Sequence, residues 1–335
     1  MAAVRGQSDA APPRVLSGIT PSGSLTLGNY LGALKRFVDG QDHQRGFFFV
    51  ADLHALTTEH EPDEARRLTR ETALLFFAAG LDAARSTVFV QSHVSEHVEL
   101  SYLLESTAYV GELGRMIQFK EKGGRPKTRA SLFTYPCLMA ADILLYDTVS
   151  VPVGGDQDQH VELCRDLAMR FNSRYGETFV VPEPAPAALA ARVVDLASPT
   201  VKMSKSAPGS AAGVVRLLDS PDVVRRKIIR AVTDSDGEVR YDPATKPGVS
   251  NLLDIIACIS GDTTSQVASR VSSYGALKVA CVEEVVGALR PIQERYADLA
   301  ADPATLSSLL RRGADRAREA AGPVLVRARE AIGLS

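Results

Sequence analysis

The chain has 335 residues, 45% hydrophobic and 23% charged, enough for two domains with cores of their own and too many for one ordinary domain. Basic and acidic residues number 38 and 40, so the net charge of -2 excludes a global basic field that would hold nucleic acid, and any polyanion must be met by local patches. No apolar run reaches the roughly 18 residues of a membrane helix. Cys137, Cys164, Cys258 and Cys281 have neither zinc spacing nor the density of a secreted scaffold, which reads as reduced thiols in a cytoplasmic protein.

Residues 1–13 are small, polar and end in two prolines, and they read as a disordered tail rather than a signal peptide. From Arg14 onward, short apolar runs alternate with amphipathic stretches. VLSGI, GFFFVAD, TVFVQS and VSVPVG are expected as buried strands, with ARVVDLAS a weaker fifth, each feeding a polar turn and a helical pattern. This alternation predicts a Rossmann-like, doubly wound parallel sheet covered by helices. After about residue 207 the pattern turns helical throughout, in DSPDVVRRKIIRAV, SNLLDIIACIS, the long stretch from Gly275 and the stretch from Ala304 to Ile332, several of them opened by Ser or Asp caps. The expected organisation is an α/β domain over 14–206 followed by a helical domain over 207–335. PEPAPAALAA is expected to link or cover rather than catalyse.

Between the first strand and first helix, SGITPSGSLTLGNYLGAL places Gly18, Pro21, Ser22, Gly23 and Gly28, where backbone can approach a nucleotide and a helix start faces negative charge. It matches neither the Walker pattern nor the dinucleotide fingerprint. Lysine is scarce, nine residues in all, yet five of them, Lys120, Lys122, Lys127, Lys202 and Lys205, fall in two Gly/Ser/Pro-flanked segments. Lys202-Met203-Ser204-Lys205-Ser206 sets two movable cations three apart with hydroxyls around them, suited to a transferring phosphate. His93, Glu96 and His97 match an inverted zinc-protease pattern. They directly follow a strand and no separate ligand cluster is apparent, so that reading is set aside.

These segments together resemble the tryptophanyl branch, of bacterial type, of the class I aminoacyl-tRNA synthetases. The resemblance rests on P-S-G-x-x-x-x-G-N-Y, VADLHALT, GELGRMIQFKEK, TYPCLMAADILLYDT, VPVGGDQDQHVELCRDLAMRFN, KMSKS, AVTDSDGEVRYD and KPGVSNLLDI, in order over most of the chain. It implies a dimeric tryptophan-tRNA ligase using L-tryptophan, ATP with Mg2+ as substrate complex, and tRNA, with no protein-bound metal or organic cofactor. The ATP site would comprise Thr20, Pro21, Ser22, Gly28, Asn29, Gly154, Gly155, Asp156, Val193, Lys202, Met203, Ser204, Lys205 and Ser206. Catalysis would rest on Lys202 and Lys205, with Lys122 assisting from a flexible loop.

The tryptophan pocket would take Asp142, Tyr135, Met139, His54, Gln157, Val151 and Val153. Tyr135, Met139 and Asp142 fall at i, i+4 and i+7, one face of a helix. A carboxylate on that apolar face needs a partner when buried, and an indole N–H would supply one. Met139 stands where a tyrosyl relative commonly carries a polar side chain, and it favours an indole face. A tyrosyl-type ligase and a non-catalytic regulatory paralogue remain the alternatives. Thr20, Leu16 and Gly155 depart from the family's usual residues, which bears on pocket detail. Two basic sets, Arg225, Arg226, Lys227 and Arg230, and Arg311, Arg312, Arg316 and Arg318, are expected to face the tRNA backbone.

Overall fold

A computed structural model describes residues 13–152, 158–185 and 193–334. Most of the expected tail, residues 1–12, lies outside them. In chain order the strands are β1 (Arg14–Ile19), β2 (Arg45–Val50), β3 (Thr87–Val90), β4 (Ser150–Pro152) and β5 (Glu183–Ala185). The principal helices are α1 (Pro62–Ala78), α2 (Glu96–Glu105), α3 (Ser131–Leu144), α4 (Asp158–Tyr175), α5 (Pro221–Ile229), α6 (Pro247–Ser260), α7 (Tyr274–Ala301) and α8 (Pro303–Ile332).

β1, β2 and β3 form a parallel sheet in that order, in a register that aligns Ile19 with Val50 and Val50 with Val90. The run GFFFV is apolar at every position because both faces of β2 are covered. Phe47 and Phe49 join one core beneath α2 and α3, while Phe48 and Val50 join the other. Register and direction bring the carboxyl ends of all three strands to one edge, and the loops leaving Ile19, Val50 and Val90 converge there.

Two expectations about strands are corrected. PEPAPAALAA is more than a linker, since Glu183–Ala185 forms β5 and pairs in parallel with β4. ARVVDLAS supplies no strand among the described residues, only one antiparallel bridge between Val194 and Lys202. Asn251 of α6 takes the edge that a neighbouring strand would have taken: its side chain accepts from Val194 N at 2.9 Å and donates to Val194 O at 3.1 Å.

Of the principal helices after residue 207, the last two start on side-chain caps. Ser273 caps α7, Asp302 caps α8, and Gly333 ends α8 at φ 85°, a left-handed conformation that costs glycine little. They do not enclose a core apart from the sheet. Leu306 and Leu310 of α8 pack in the core that holds Phe48, whereas Ala314, Ala317 and Ala321 pack in the one that holds Phe47. The helix crosses from one to the other at Gly313, where an added Cβ would lie 1.8 Å from Val88 O.

Candidate active site

The first loop and the KMSKS segment meet. A Cβ on Gly23 would lie 2.2 Å from the backbone oxygen of Lys205, so the two chains run in direct contact there. The Lys205 ammonium donates to Thr20 O. Further along, Leu27 N donates to Val215 O at 2.8 Å and Leu217 N to Leu25 O at 3.0 Å, tying the loop to the chain beyond KMSKS. Arg216 steadies the intervening turn by donating to the carbonyls of Ala207, Pro208 and Gly209. Burial, and then the neighbouring Lys202 cation, depress the Lys205 ammonium to about 8.

Gly28 faces the buried side chains of Val193 and Met203, whose Cβ atoms would lie 3.6 and 3.5 Å from a Cβ added there. This brings together the start of the first helix, Met203 of KMSKS and the chain just before it. Asn29 does something the sequence did not indicate. Its Oδ1 accepts from Thr26 N at 3.0 Å while Thr26 Oγ1 accepts from Asn29 N, a capping box that shapes the helix start. Ser22, Ser204 and Ser206 are on the surface, the two KMSKS serines 2.9 Å apart through their hydroxyls. Lys122 is exposed at the end of the short helix Ile117–Lys122. A cavity of about 980 Å³ opens beside the loop contact, lined by Ser22, Gly23, Lys205 and Ser206 and, across from them, Asp52, His60 and Arg70.

Behind this contact stands Asp142, 2% exposed on α3. The sequence offered an indole N–H as its partner, and the protein supplies partners of its own. His54 Nε2 lies 2.8 Å from Oδ2, His97 Nδ1 lies 2.6 Å from Oδ1, and Gln91 Nε2 donates to Oδ1 at 2.7 Å. Burial pushes the carboxyl up, but the contacts with His54 and His97 outweigh it and hold Asp142 below the usual carboxylate value. Tyr135, on the same helix face, bonds its hydroxyl to His160, and burial raises it to about 12. The Tyr135 and His54 rings meet edge-on with centroids 6.3 Å apart. Met139 is half-buried beside them. Val151 lies on β4, and Val153, Gly154, Gly155, Asp156 and Gln157 lie outside the described residues.

Gln91 and His97 were not expected here. The signal was present as His93-x-x-Glu96-His97 but pointed to zinc. In the fold His93 is exposed and His97 is wholly buried against Asp142, and among the described residues no acid, Cys or His group stands ready to hold a metal. The four cysteines are free, and burial raises their thiols, Cys137 and Cys281 to about 12, which leaves them unreactive.

The basic sets divide. Arg225, Arg226, Arg230, Arg311 and Arg312 are exposed. Lys227 instead donates to Val214 O and to Asp219, each at 2.7 Å, bracing the chain beyond KMSKS. Arg316 donates to Ala83 O and Ser86 O, and Arg318 to His93 O, so both dock α8 on the sheet domain. Two continuous free basic faces are therefore not formed.

Residues 8–296 match the family model described as tRNA synthetases class I (W and Y). The chain belongs to that family. It is 54% identical over 327 residues to tryptophan–tRNA ligase 1 of Streptomyces coelicolor, covering 96% of this chain and 97% of that one, and 53% identical to tryptophan–tRNA ligase of Leifsonia xyli, covering 96% and 97%. Among solved structures it resembles tryptophanyl-tRNA synthetase from Mycoplasma pneumoniae, with TM-score 0.88, 34% identity and coverage of 97% and 99%. The Campylobacter jejuni enzyme complexed with ADP and tryptophan gives TM-score 0.80, 34% identity and coverage of 96% and 100%.

Proposed function

We infer that the chain is a tryptophan–tRNA ligase whose site activates L-tryptophan with ATP and then esterifies tRNA(Trp). The observation that carries the site assignment is Asp142, a buried carboxylate held ionised, whose Oδ2 among the described residues keeps one acceptor direction beyond His54. An indole N–H fits that direction, while Tyr135 and Met139 supply the apolar wall. A tryptophan carboxylate attacks the α-phosphorus of MgATP in line, forming tryptophanyl-adenylate and releasing pyrophosphate. The nucleophile is already ionised, so catalysis rests on placement and charge rather than on a general base. Lys205, held at the first loop, and Lys202 neutralise charge on the departing pyrophosphate, and Lys122 reaches in from its exposed helix. Mg2+ enters with the nucleotide, its phosphates supplying much of the coordination. A hydroxyl of the 3′ terminal adenosine of the tRNA then attacks the adenylate carbonyl, forming the ester and releasing AMP.

We assign residues 14–206 to catalysis and the helices after 207 to anticodon binding, with Arg225, Arg226 and Arg230 as backbone contacts. Val98, Tyr102, Tyr109 and Val110 are each more than half exposed, and this apolar surface supports a homodimer. No helix among the described residues is long and apolar enough to cross a membrane, and a cytoplasmic location fits the four free thiols.

The test is amino-acid-dependent ATP–pyrophosphate exchange. Tryptophan-dependent exchange supports this reading. Tyrosine-dependent exchange, or none, would replace it with the tyrosyl or the non-catalytic alternative.

A further inference from the structure

His97 lies in the first turn of α2, wholly buried, among the rings of Phe49, Phe89 and Tyr146, whose centroids stand 5.9, 5.8 and 5.6 Å from its own. It uses both nitrogens. Nδ1 is 2.6 Å from Asp142 Oδ1 and Nε2 is 2.8 Å from the Tyr146 hydroxyl. Nδ1 carries the proton it donates to the ionised Asp142, and with the ring neutral Nε2 accepts from the Tyr146 hydroxyl. One tautomer satisfies the whole chain Tyr146–His97–Asp142.

The carboxylate is held unequally. Oδ1 faces two fully buried donors, His97 and Gln91, whereas among the described residues Oδ2 faces only His54, whose side chain is 14% exposed. Oδ1 is therefore the fixed oxygen and Oδ2 the one turned toward the open side. Without the Oδ1 donors the carboxylate could rotate about its last bond or take up a proton, and a protonated Oδ2 would meet an indole N–H donor to donor.

We propose that His97, its tautomer set by Tyr146, is a positioning residue for amino-acid selection, holding Asp142 so that Oδ2 is aimed at the substrate N–H. This rests on the reading of Asp142 given above. His97 touches no substrate; its effect passes through the carboxylate.

The test uses the full-length enzyme in ATP–pyrophosphate exchange with tryptophan and with 3-benzothienylalanine, a near-isostere whose sulfur replaces the N–H. His97→Ala is expected to raise KM for tryptophan about tenfold or more, leaving KM for ATP and for the analogue within about threefold, so that discrimination collapses. His97→Asn places an amide N–H near the Nδ1 position and restores most of the discrimination. Tyr146→Phe gives an intermediate loss. Equal losses for tryptophan and the analogue in His97→Ala, or no rescue by His97→Asn, would make His97 a packing residue and overturn the proposal. Should His97→Ala fail to fold, an unchanged discrimination ratio in Tyr146→Phe overturns it instead. Asp142→Asn separates the two levels. If it leaves the ratio unchanged, the reading of Asp142 itself fails; if it collapses the ratio while His97→Ala does not, only the role of His97 is lost.

Discussion

At the scale of single residues, two groups of the candidate site have pKa values held below their ordinary ones. Asp142 stays ionised inside the protein because hydrogen bonding outweighs burial. Asp142→Ala is expected to weaken tryptophan binding about 100-fold, roughly 3 kcal/mol, with KM for ATP little changed. Since the chain contains no tryptophan of its own, indole-selective fluorescence carries no background from the protein, and the change in ligand emission on binding measures this. Equal losses for both substrates would mark the carboxylate as structural.

Lys205 is shifted in the same direction, which for an ammonium is toward its neutral form. Its ammonium, ordinarily at 10.5, is depressed to about 8 by burial first and Lys202 second. Between those values the unfolded chain holds a proton that the folded one has released, so this group makes stability rise with pH across that window, and below about 8 the full penalty of a buried cation is present. Lys205→Met is therefore expected to raise the melting temperature of the ligand-free protein at pH 7 by about 2–4 °C and to flatten that rise. The same variant loses exchange activity. Unchanged melting across the pH range would show that burial of Lys205 carries no such cost.

At the scale of elements, two glycines are positions where backbones touch. Gly23→Ala would drive a Cβ into Lys205 O and part the first loop from KMSKS, so exchange activity should fall by about tenfold or more while thermal melting moves little, both segments being surface loops. Gly313→Ala would instead push α8 off β3 and should cost about 3 kcal/mol in a denaturant titration. A Gly313→Ala protein as stable as the parent would mean that α8 docks more loosely than the cores on either side of it imply. The strands were legible because a run such as GFFFV has few other places to go than a doubly covered sheet. β5 was not legible, since Pro184 discourages a strand and only its place beside β4 makes one.

At the scale of the whole molecule, the apolar surface of Val98, Tyr102, Tyr109 and Val110 leads to a prediction about assembly. Val98→Asp with Tyr102→Arg should convert a dimer to a monomer in analytical ultracentrifugation without unfolding it, because all four side chains are exposed in the single chain. An unchanged sedimentation coefficient would move the interface elsewhere. Surface charge was read less well than the buried strand runs. Arg225 and Arg316 look alike in a count of cations, but one stays in solvent and the other is taken up by the carbonyls of Ala83 and Ser86.

What the sequence determined by itself was local and chemical: the strand runs, the caps, the first loop, the KMSKS lysines, and the helix face carrying Tyr135, Met139 and Asp142. Each depends on spacings of a few residues, which periodicity records. What only the tertiary structure decided was which groups close on one another across the chain. Gln91, His97 and His54 reach Asp142 across 51, 45 and 88 positions, because parallel strands deliver their carboxyl ends to one edge and α3 packs against that edge. No periodicity encodes such a meeting, and a buried charge shows its partners only once the chain has closed around it.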